Sequence, residues 1–179
     1  MKLKYTLGFF LISLLLLPTS CKKLREITRF DITTVSYATI PSGGIVNLPF
    51  QIFTPDIETN SAQEFETNKT EARLVRAAFL KSLTLNIHQP NQANFDFLRS
   101  VEIFISAANL EEKRIAAQTD IPQTGLKTLS VGTDDAIDLK DYIKGDKYKL
   151  RVQAVTRQLP GSDVTIRINS RFEVEANIF

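Results

Sequence analysis

The stretch Lys147–Ile178 reads KYKLRVQAVTRQLPGSDVTIRINSRFEVEANI and carries the clearest pattern in the chain. Its even positions are mostly apolar: Tyr148, Leu150, Val152 and Ala154, then Val164, Ile166, Ile168, Phe172, Val174, Ala176 and Ile178. Its odd positions are mostly polar or charged. Such alternation is typical of β-strands with one buried face. We therefore predict two strands separated by the turn Leu159–Asp163.

The simplest arrangement of these two strands is an antiparallel hairpin, in which core parity requires paired residue numbers to sum to an even value. We predict a sum of 322, which places Lys147 opposite Glu175 and Lys149 opposite Glu173. The alternative sum of 320 would set Lys149 against Arg171. Opposite charges across two strands contribute about 0.2–1 kcal/mol per pair, which favours the first register.

Shorter runs of the same kind occur through the rest of the chain. We predict strands at Arg29–Ile40, Val46–Ile52, Leu83–Ile87, Val101–Ile105, Ile115–Ala117 and Leu129–Val131. In the first run Phe30 and Ile32 lie out of phase with Val35 and Tyr37, and a bulge or an exchange between sheets would explain this. Pro49 cannot donate a ladder hydrogen bond, so the second run is predicted to be an edge strand or to carry its proline on the free side. The run Val164–Ile178 exceeds the usual strand length, so we predict a bend near Asn169–Ser170.

Two segments without this alternation are predicted to be helical. Thr54–Ala78 reads as a helical connection, with a capping box at Ser61–Glu64 and a second helical turn within Thr70–Ala78. A ligand-covering loop is the alternative for this connection. Asp138 is predicted to cap one helical turn at Leu139–Lys144, which Gly145 ends.

Together these elements predict an all-β chain, with residues 29–179 forming a single antiparallel β-sandwich domain of seven to eight strands and one or two short helical connections. The segment Tyr148–Ala154 resembles the penultimate strand of immunoglobulin-like and fibronectin type III-like sandwiches. The chain has no Trp and one Cys, so the resemblance implies the general immunoglobulin-like architecture and no binding site.

The N-terminus has the pattern of an export signal. Lys2 and Lys4 precede an apolar run of eleven residues, Leu7–Leu17, which as a helix would rise about 16 Å and is too short to cross a bilayer. We interpret residues 1–20 as a signal peptide. The following Pro18-Thr19-Ser20-Cys21 resembles a bacterial lipobox, although Pro18 stands where that family prefers Leu. The resemblance implies that Cys21 is acylated and inserts into the bilayer, and that residues 21–28 form a lipidated tether. An ordinary cleavable signal with an incidental Cys is the alternative.

Charge does not indicate a nucleic-acid partner. Removing residues 1–20 takes away two of the 22 basic side chains and none of the 20 acidic ones, which leaves the remaining chain formally neutral. Lys22 follows the cysteine in place of the Asp that is the familiar inner-membrane retention signal, so the lipoprotein resemblance implies the outer membrane if the cell has two. Which leaflet carries the protein is not predicted.

No catalytic, cofactor or metal site is predicted. The single His88 lies at the polar parity of a strand, where an exposed histidine is expected. If Cys21 is acylated, no free thiol remains, and the chain has a single His. A His/Cys zinc site and a Cys–His nucleophilic pair are therefore excluded. The acidic group Asp134, Asp135, Asp138 and Asp141 lacks EF-hand spacing, and capping and turn chemistry explain it better than calcium does.

The sequence thus predicts a membrane-anchored cell-envelope lipoprotein, not an enzyme, whose β-domain is a binding or structural module. A glycan, an envelope protein or an adhesin component is the expected partner. The alternative is a carrier that holds a small apolar ligand between its sheets. A large internal cavity would favour the carrier. A flat, aromatic-rich face would favour a glycan-binding protein, and convergent buried carboxylates would favour an enzyme.

Overall fold

A computed structural model describes residues 27–179. It contains nine strands: β1 (Ile27–Ile40), β2 (Pro49–Phe53), β3 (Ile57–Glu58), β4 (Val75–Gln89), β5 (Leu98–Ser106), β6 (Lys113–Gln118), β7 (Thr128–Thr133), β8 (Lys147–Thr156) and β9 (Val164–Asn177). Two short α-helices, α1 (Ser61–Thr67) and α2 (Lys140–Ile143), and 3-10 turns at Ala72–Leu74 and Phe95–Phe97 lie in the connections. The predicted signal peptide, Cys21 and most of the predicted tether lie outside the described residues.

All nine strands belong to one antiparallel sheet that curls into a half-barrel. The strand order is β1-β9-β4-β7-β6-β5-β8-β2, and β3 pairs with the start of β8. One half of the sheet is β1-β9-β4-β7 and the other is β6-β5-β8-β2. The halves are joined where Ala116 and Ala117 of β6 pair with Thr133 and Gly132 of β7. The predicted all-β antiparallel class is therefore confirmed, with nine strands instead of seven or eight.

The core follows the alternation that the sequence predicts. The even residues of β8 and of β9, from Tyr148 to Thr156 and from Val164 to Ala176, are all buried. β9 continues through Asn169–Ser170 without interruption. The register shifts next to it occur in β4, one of them between Leu80 and Ser82. The bend expected near Asn169–Ser170 stays a prediction, because a strand can bend while its pairing continues.

The predicted hairpin of β8 and β9 is wrong. β8 pairs with β5 and β2, whereas β9 pairs with β1 and β4, so the segment Arg157–Asp163 links the two halves of the sheet. Alternation determines which face of a strand is buried, but it does not determine which strand lies beside it. The two glutamates that favoured the hairpin register pair with other residues: Glu175 binds Arg29, and Glu173 binds Lys81.

The bulge predicted in β1 is also absent, because β1 pairs with β9 in continuous register from Ile27 to Ile40. Its buried face carries Thr34 and Ser36, whereas Val35 and Tyr37 are exposed. The hydroxyl of Thr34 lies 2.6 Å from that of Tyr148. In β1 the polar residues Thr34 and Ser36 are therefore buried, and the apolar residues Val35 and Tyr37 are exposed. Hydrophobicity alone assigns the wrong face of this part of the strand to the core.

The connection between β2 and β4 is helical only in part. α1 is present with Phe65 buried, but Asn60 is its N-cap residue and no side chain caps it, so the predicted capping box does not form. The second predicted helical turn is limited to Ala72–Leu74, and β4 begins at Val75. β2 is the edge strand expected from Pro49, but Val46 and Leu48 precede it and are exposed.

Asp138 holds α2 against β4. Its carboxylate accepts hydrogen bonds from the backbone amides of Lys140 (3.0 Å) and Ala78 (3.1 Å). Partial burial alone would raise the pKa of this carboxyl, but the two amide bonds and the ammonium of Lys140 outweigh it and lower the pKa. The predicted N-cap is wrong, because α2 begins at Lys140 and Leu139 is its N-cap residue. Asp138 instead accepts a local bond from the Lys140 amide and a bond from Ala78 that only the tertiary structure supplies.

Candidate functional site

The outer face of the β2-β8-β5-β6 half carries aligned rows of polar and aromatic side chains. The register aligns Gln51, Gln153 and Glu102 in one row across three strands. The next row aligns Phe53, Arg151, Phe104 and Arg114 across all four. Because neighbouring strands are about 4.8 Å apart, four strands give a surface about 14 Å wide.

Polar side chains on this face form one connected hydrogen-bond network. Gln51 donates to Gln153 at 3.4 Å, and Gln153 donates to Glu102 at 3.0 Å. Arg114 donates to the other oxygen of Glu102 at 2.7 Å, and Arg151 donates to Gln153 at 3.2 Å. We call these five residues, Gln51, Glu102, Arg114, Arg151 and Gln153, the polar array. Each side chain in it is positioned by a neighbour while part of it remains open to solvent.

Arg151 is the best fixed member of the polar array. Its side chain is 11% exposed, and it binds both carboxylate oxygens of Glu112 at 2.5–3.1 Å. Hydrogen bonds from Arg151 lower the pKa of the Glu112 carboxyl, and the pair raises the pKa of Arg151. The guanidinium also lies 3.8 Å from the ring centre of Phe104, within cation–π range. A bidentate, stacked arginine loses little further entropy when it binds a ligand.

Phe53 supplies an exposed aromatic ring beside the polar array. It is 62% exposed at the end of the edge strand β2, directly across from Arg151. Covering such an exposed ring with a flat apolar surface of a ligand would remove apolar area from water and so favour binding. The pattern of fixed amide, carboxylate and guanidinium groups beside an aromatic ring suits a ligand that presents both hydroxyls and an apolar face.

A second surface feature lies at the opposite end of the strands from Ile27. A cleft of about 480 Å³ is bordered by Pro90–Asn94, Phe97, Gln158–Ser162 and Val164. The charged groups of the surrounding loops are engaged locally: Asp163 accepts from Ser42, Asp96 from Gly125, and Lys127 donates to Asn91. Exposed Leu159 and Leu48 lie at the same end. This end therefore carries both apolar and polar side chains, and the charged groups named here bond to neutral partners.

The residues singled out in the sequence are not brought together. His88 is exposed, as predicted, and its ring lies 5.0 Å from that of Tyr37. Asp134 accepts from the amide of Ala136, which is the expected turn chemistry. Between Ile27 and Phe179 no group of three His, Cys, Asp or Glu side chains is placed to hold a metal ion. The buried polar side chains of this part are serine and threonine hydroxyls, without a carboxylate among them.

The helices of the described region are short, and none of them has the length and apolar character needed to cross a bilayer.

Sequence reasoning missed the polar array because its members come from four strands. Gln51, Glu102, Arg114 and Gln153 are ordinary outward residues within their own strands. The only local signal was the pair Arg151 and Gln153 on a strand with clean alternation. The partners became visible once the order β2-β8-β5-β6 was known.

Comparisons with known proteins assign no family. No family model matches the chain, and no curated protein matches it significantly. Among solved structures, a chain of Desmodium yellow mottle tymovirus matches with a TM-score of 0.31, 17% identity, and coverage of 85% of this chain and 84% of that one. The xylan-binding module CBM15 matches with a TM-score of 0.33, 13% identity, and coverage of 87% and 99%. Likenesses at these TM-scores carry no argument about function.

Proposed function

We propose that this protein is a cell-envelope lipoprotein that binds a glycan through the outer face of β2-β8-β5-β6. In this proposal acylated Cys21 anchors the chain in the outer membrane, and the folded domain is the binding module. The polar array, with Phe53 beside it, is the observation that carries the proposal.

The chemistry of the polar array matches that of a sugar surface. Sugar hydroxyls both donate and accept hydrogen bonds, and the polar array offers amide, carboxylate and guanidinium groups already oriented by one another. Preorganised groups reduce the ordering cost of binding. The apolar face of a sugar ring would cover Phe53, which stands in line with Arg151 and Phe104.

At a finer level than the curled antiparallel sheet, we infer that the two halves act as the layers of an immunoglobulin-like β-sandwich. Contacts between the halves support this view. The rings of Tyr148 in β8 and Phe172 in β9 meet edge to face with their centres 5.9 Å apart. β1 also contacts β2 and β3, which brings the two ends of the sheet together.

The alternative of an apolar-ligand carrier has less support. A carrier needs space between the halves, and that position is occupied by Tyr148, Phe172 and the branched side chains packed around them. An envelope-protein partner is favoured by one observation, the cleft lined by Gln92–Asn94 and Gln158–Ser162, in which Leu159 is exposed.

The test is binding of the full chain, purified in detergent, to an oligosaccharide array, with affinities then measured by calorimetry. Phe53→Ala and Gln153→Ala should each weaken binding of a retained sugar about tenfold, since tenfold corresponds to about 1.4 kcal/mol and each change removes one stacking or hydrogen-bonding contact. Arg167→Ala is the control, because Arg167 is exposed on β9 in the other half of the sheet.

The proposal fails if no oligosaccharide binds at millimolar concentration. It also fails if the two variants, with unchanged thermal unfolding, bind as tightly as the parent. Loss of binding in Arg167→Ala alone would place the site on the opposite half.

A further inference from the structure

A cleft of about 370 Å³ continues the outer face of β8 beyond the polar array. It is lined by Asp56, Ser106, Ala107, Ala108, Lys147, Tyr148 and Lys149. Lys147 and Lys149 are exposed on the same face of β8 as Arg151, and Lys149 lies opposite Ser106 of β5. Successive outward residues of a strand are about 7 Å apart, so the cleft begins next to Arg151.

Charge in this cleft is unevenly matched. The ammonium of Lys147 lies 2.6 Å from one oxygen of Asp56, and that of Lys149 lies 3.4 Å from the other. The hydrogen bond from Lys147 is the main reason that the pKa of Asp56 is lowered. Glu58 and Asp146 add further negative charge near Lys147. Lys147 is therefore well compensated, whereas Lys149 has only the longer contact with a shared carboxylate.

Lys149 is also free to turn toward a ligand. Its side chain is 55% exposed, and besides Asp56, Lys147 and Tyr148 the cleft is lined by the small side chains of Ser106, Ala107 and Ala108. Arg151 does not supply the same charge, because Glu112 already binds it through two oxygens. An incoming carboxylate would find one ammonium with an unfilled hydrogen-bonding position and room beside it.

We propose that the glycan bound by the polar array is acidic, with a uronic acid carboxylate seated in the cleft against Lys149. This inference rests on the proposed glycan function and names its substrate class. Neutral sugar units lie over the polar array and Phe53, and the acidic unit lies toward the end of the domain at which β1 begins. The contact is charge-assisted and partly exposed, so it sets preference more than it sets total affinity.

The test uses a matched pair of probes, an oligogalacturonate and its fully methyl-esterified form, which share a backbone and differ in charge. The full chain in detergent should bind the acid about fivefold more tightly than the ester at low salt, the size expected for one partly exposed ion pair. The difference should shrink as salt is added. Lys149→Gln should remove the difference without changing affinity for the ester, and Lys149→Arg should keep it.

Lys127→Gln is the matched control, because Lys127 lies at the other end of the strands and donates to Asn91. If the parent binds both probes equally, or if Lys149→Gln weakens both equally, the acidic preference is wrong while the glycan function stands. If neither probe nor any other oligosaccharide binds, both proposals fail. Lys149-dependent binding to phosphatidylglycerol vesicles in place of the acid would make the cleft a lipid headgroup site and overturn the inference.

Discussion

Phe172 and Arg171 are neighbours in β9 that point to opposite sides of the sheet. Phe172 is fully buried and meets the ring of Tyr148, whereas Arg171 is partly exposed and binds Asp31 at 3.1 Å. Phe172→Ala leaves a cavity between the two halves and should lower the free energy of unfolding by about 3–5 kcal/mol. Arg171→Ala removes one exposed ion pair and should cost about 0.5 kcal/mol. Chemical denaturation measures both, and equal losses would contradict the assignment of faces.

Three strands meet at the hydroxyl of Tyr148. This β8 side chain lies 2.6 Å from the hydroxyl of Thr34 in β1, and the hydroxyl of Ser170 in β9 is a second hydrogen-bonding neighbour. Tyr148 is 1% exposed, and its burial raises the pKa of the phenol from 10.0 to about 12, against the opposing effect of the two hydroxyls. This cluster therefore couples the two halves of the sheet through hydrogen bonds as well as through packing.

The raised pKa makes stability depend on alkaline pH. Because the folded phenol holds its proton more tightly than the unfolded one, its contribution is fully present below pH 10 and is lost as pH rises from about 10 to about 12. Tyr148→Phe should cost about 1–2 kcal/mol at pH 7, since it leaves two buried hydroxyls short of a partner. The variant should also lose stability less steeply in that window than the parent. Denaturation at several pH values measures this, with Tyr37→Phe, at an exposed position, as the control. Identical slopes in parent and Tyr148→Phe would contradict the buried-phenol account.

For the molecule as a whole, the distance from anchor to binding surface matters. The predicted tether of residues 21–28 reaches at most about 28 Å when extended. The 14 residues of β1 span about 46 Å, so in the proposed anchored protein the cleft beside Pro90 lies at the end of the strands opposite the tether. The cleft at Lys149 lies at the start of β8, where β3 pairs with Tyr148.

Cys21→Ser tests this arrangement in cells. If Cys21 is the acylation site, the variant should take up no labelled fatty acid and should leave the detergent phase, because each buried methylene contributes about 0.8 kcal/mol to anchoring. Ser20→Ala is the matched control, since it keeps a small residue before the cysteine and should be labelled as the parent is. A Cys21→Ser protein that still partitions into detergent would contradict the lipoprotein prediction.

The sequence by itself determined which side chains are buried in most strands, because alternation with a period of two follows directly from strand geometry. It also favoured an edge position for β2, through the missing amide of Pro49, and a polar role for Asp138 at the start of α2, although Leu139 is the N-cap residue of that helix. These features depend on residues close together in the chain. They need no knowledge of which strand lies beside which.

Only the tertiary structure decided strand neighbours. β8 and β9 have equally good core faces, and nothing local distinguishes a hairpin between them from their placement in opposite halves of the sheet. The same holds for Thr34, whose burial depends on Tyr148 more than a hundred residues away. The polar array exists because β2, β8, β5 and β6 lie side by side, and the cleft at Lys149 exists because β8 lies beside β5. Neither can therefore be recognised from a single strand. Long-range pairing fixes such a site, and pairing depends on the sum of many weak contacts that periodicity does not encode.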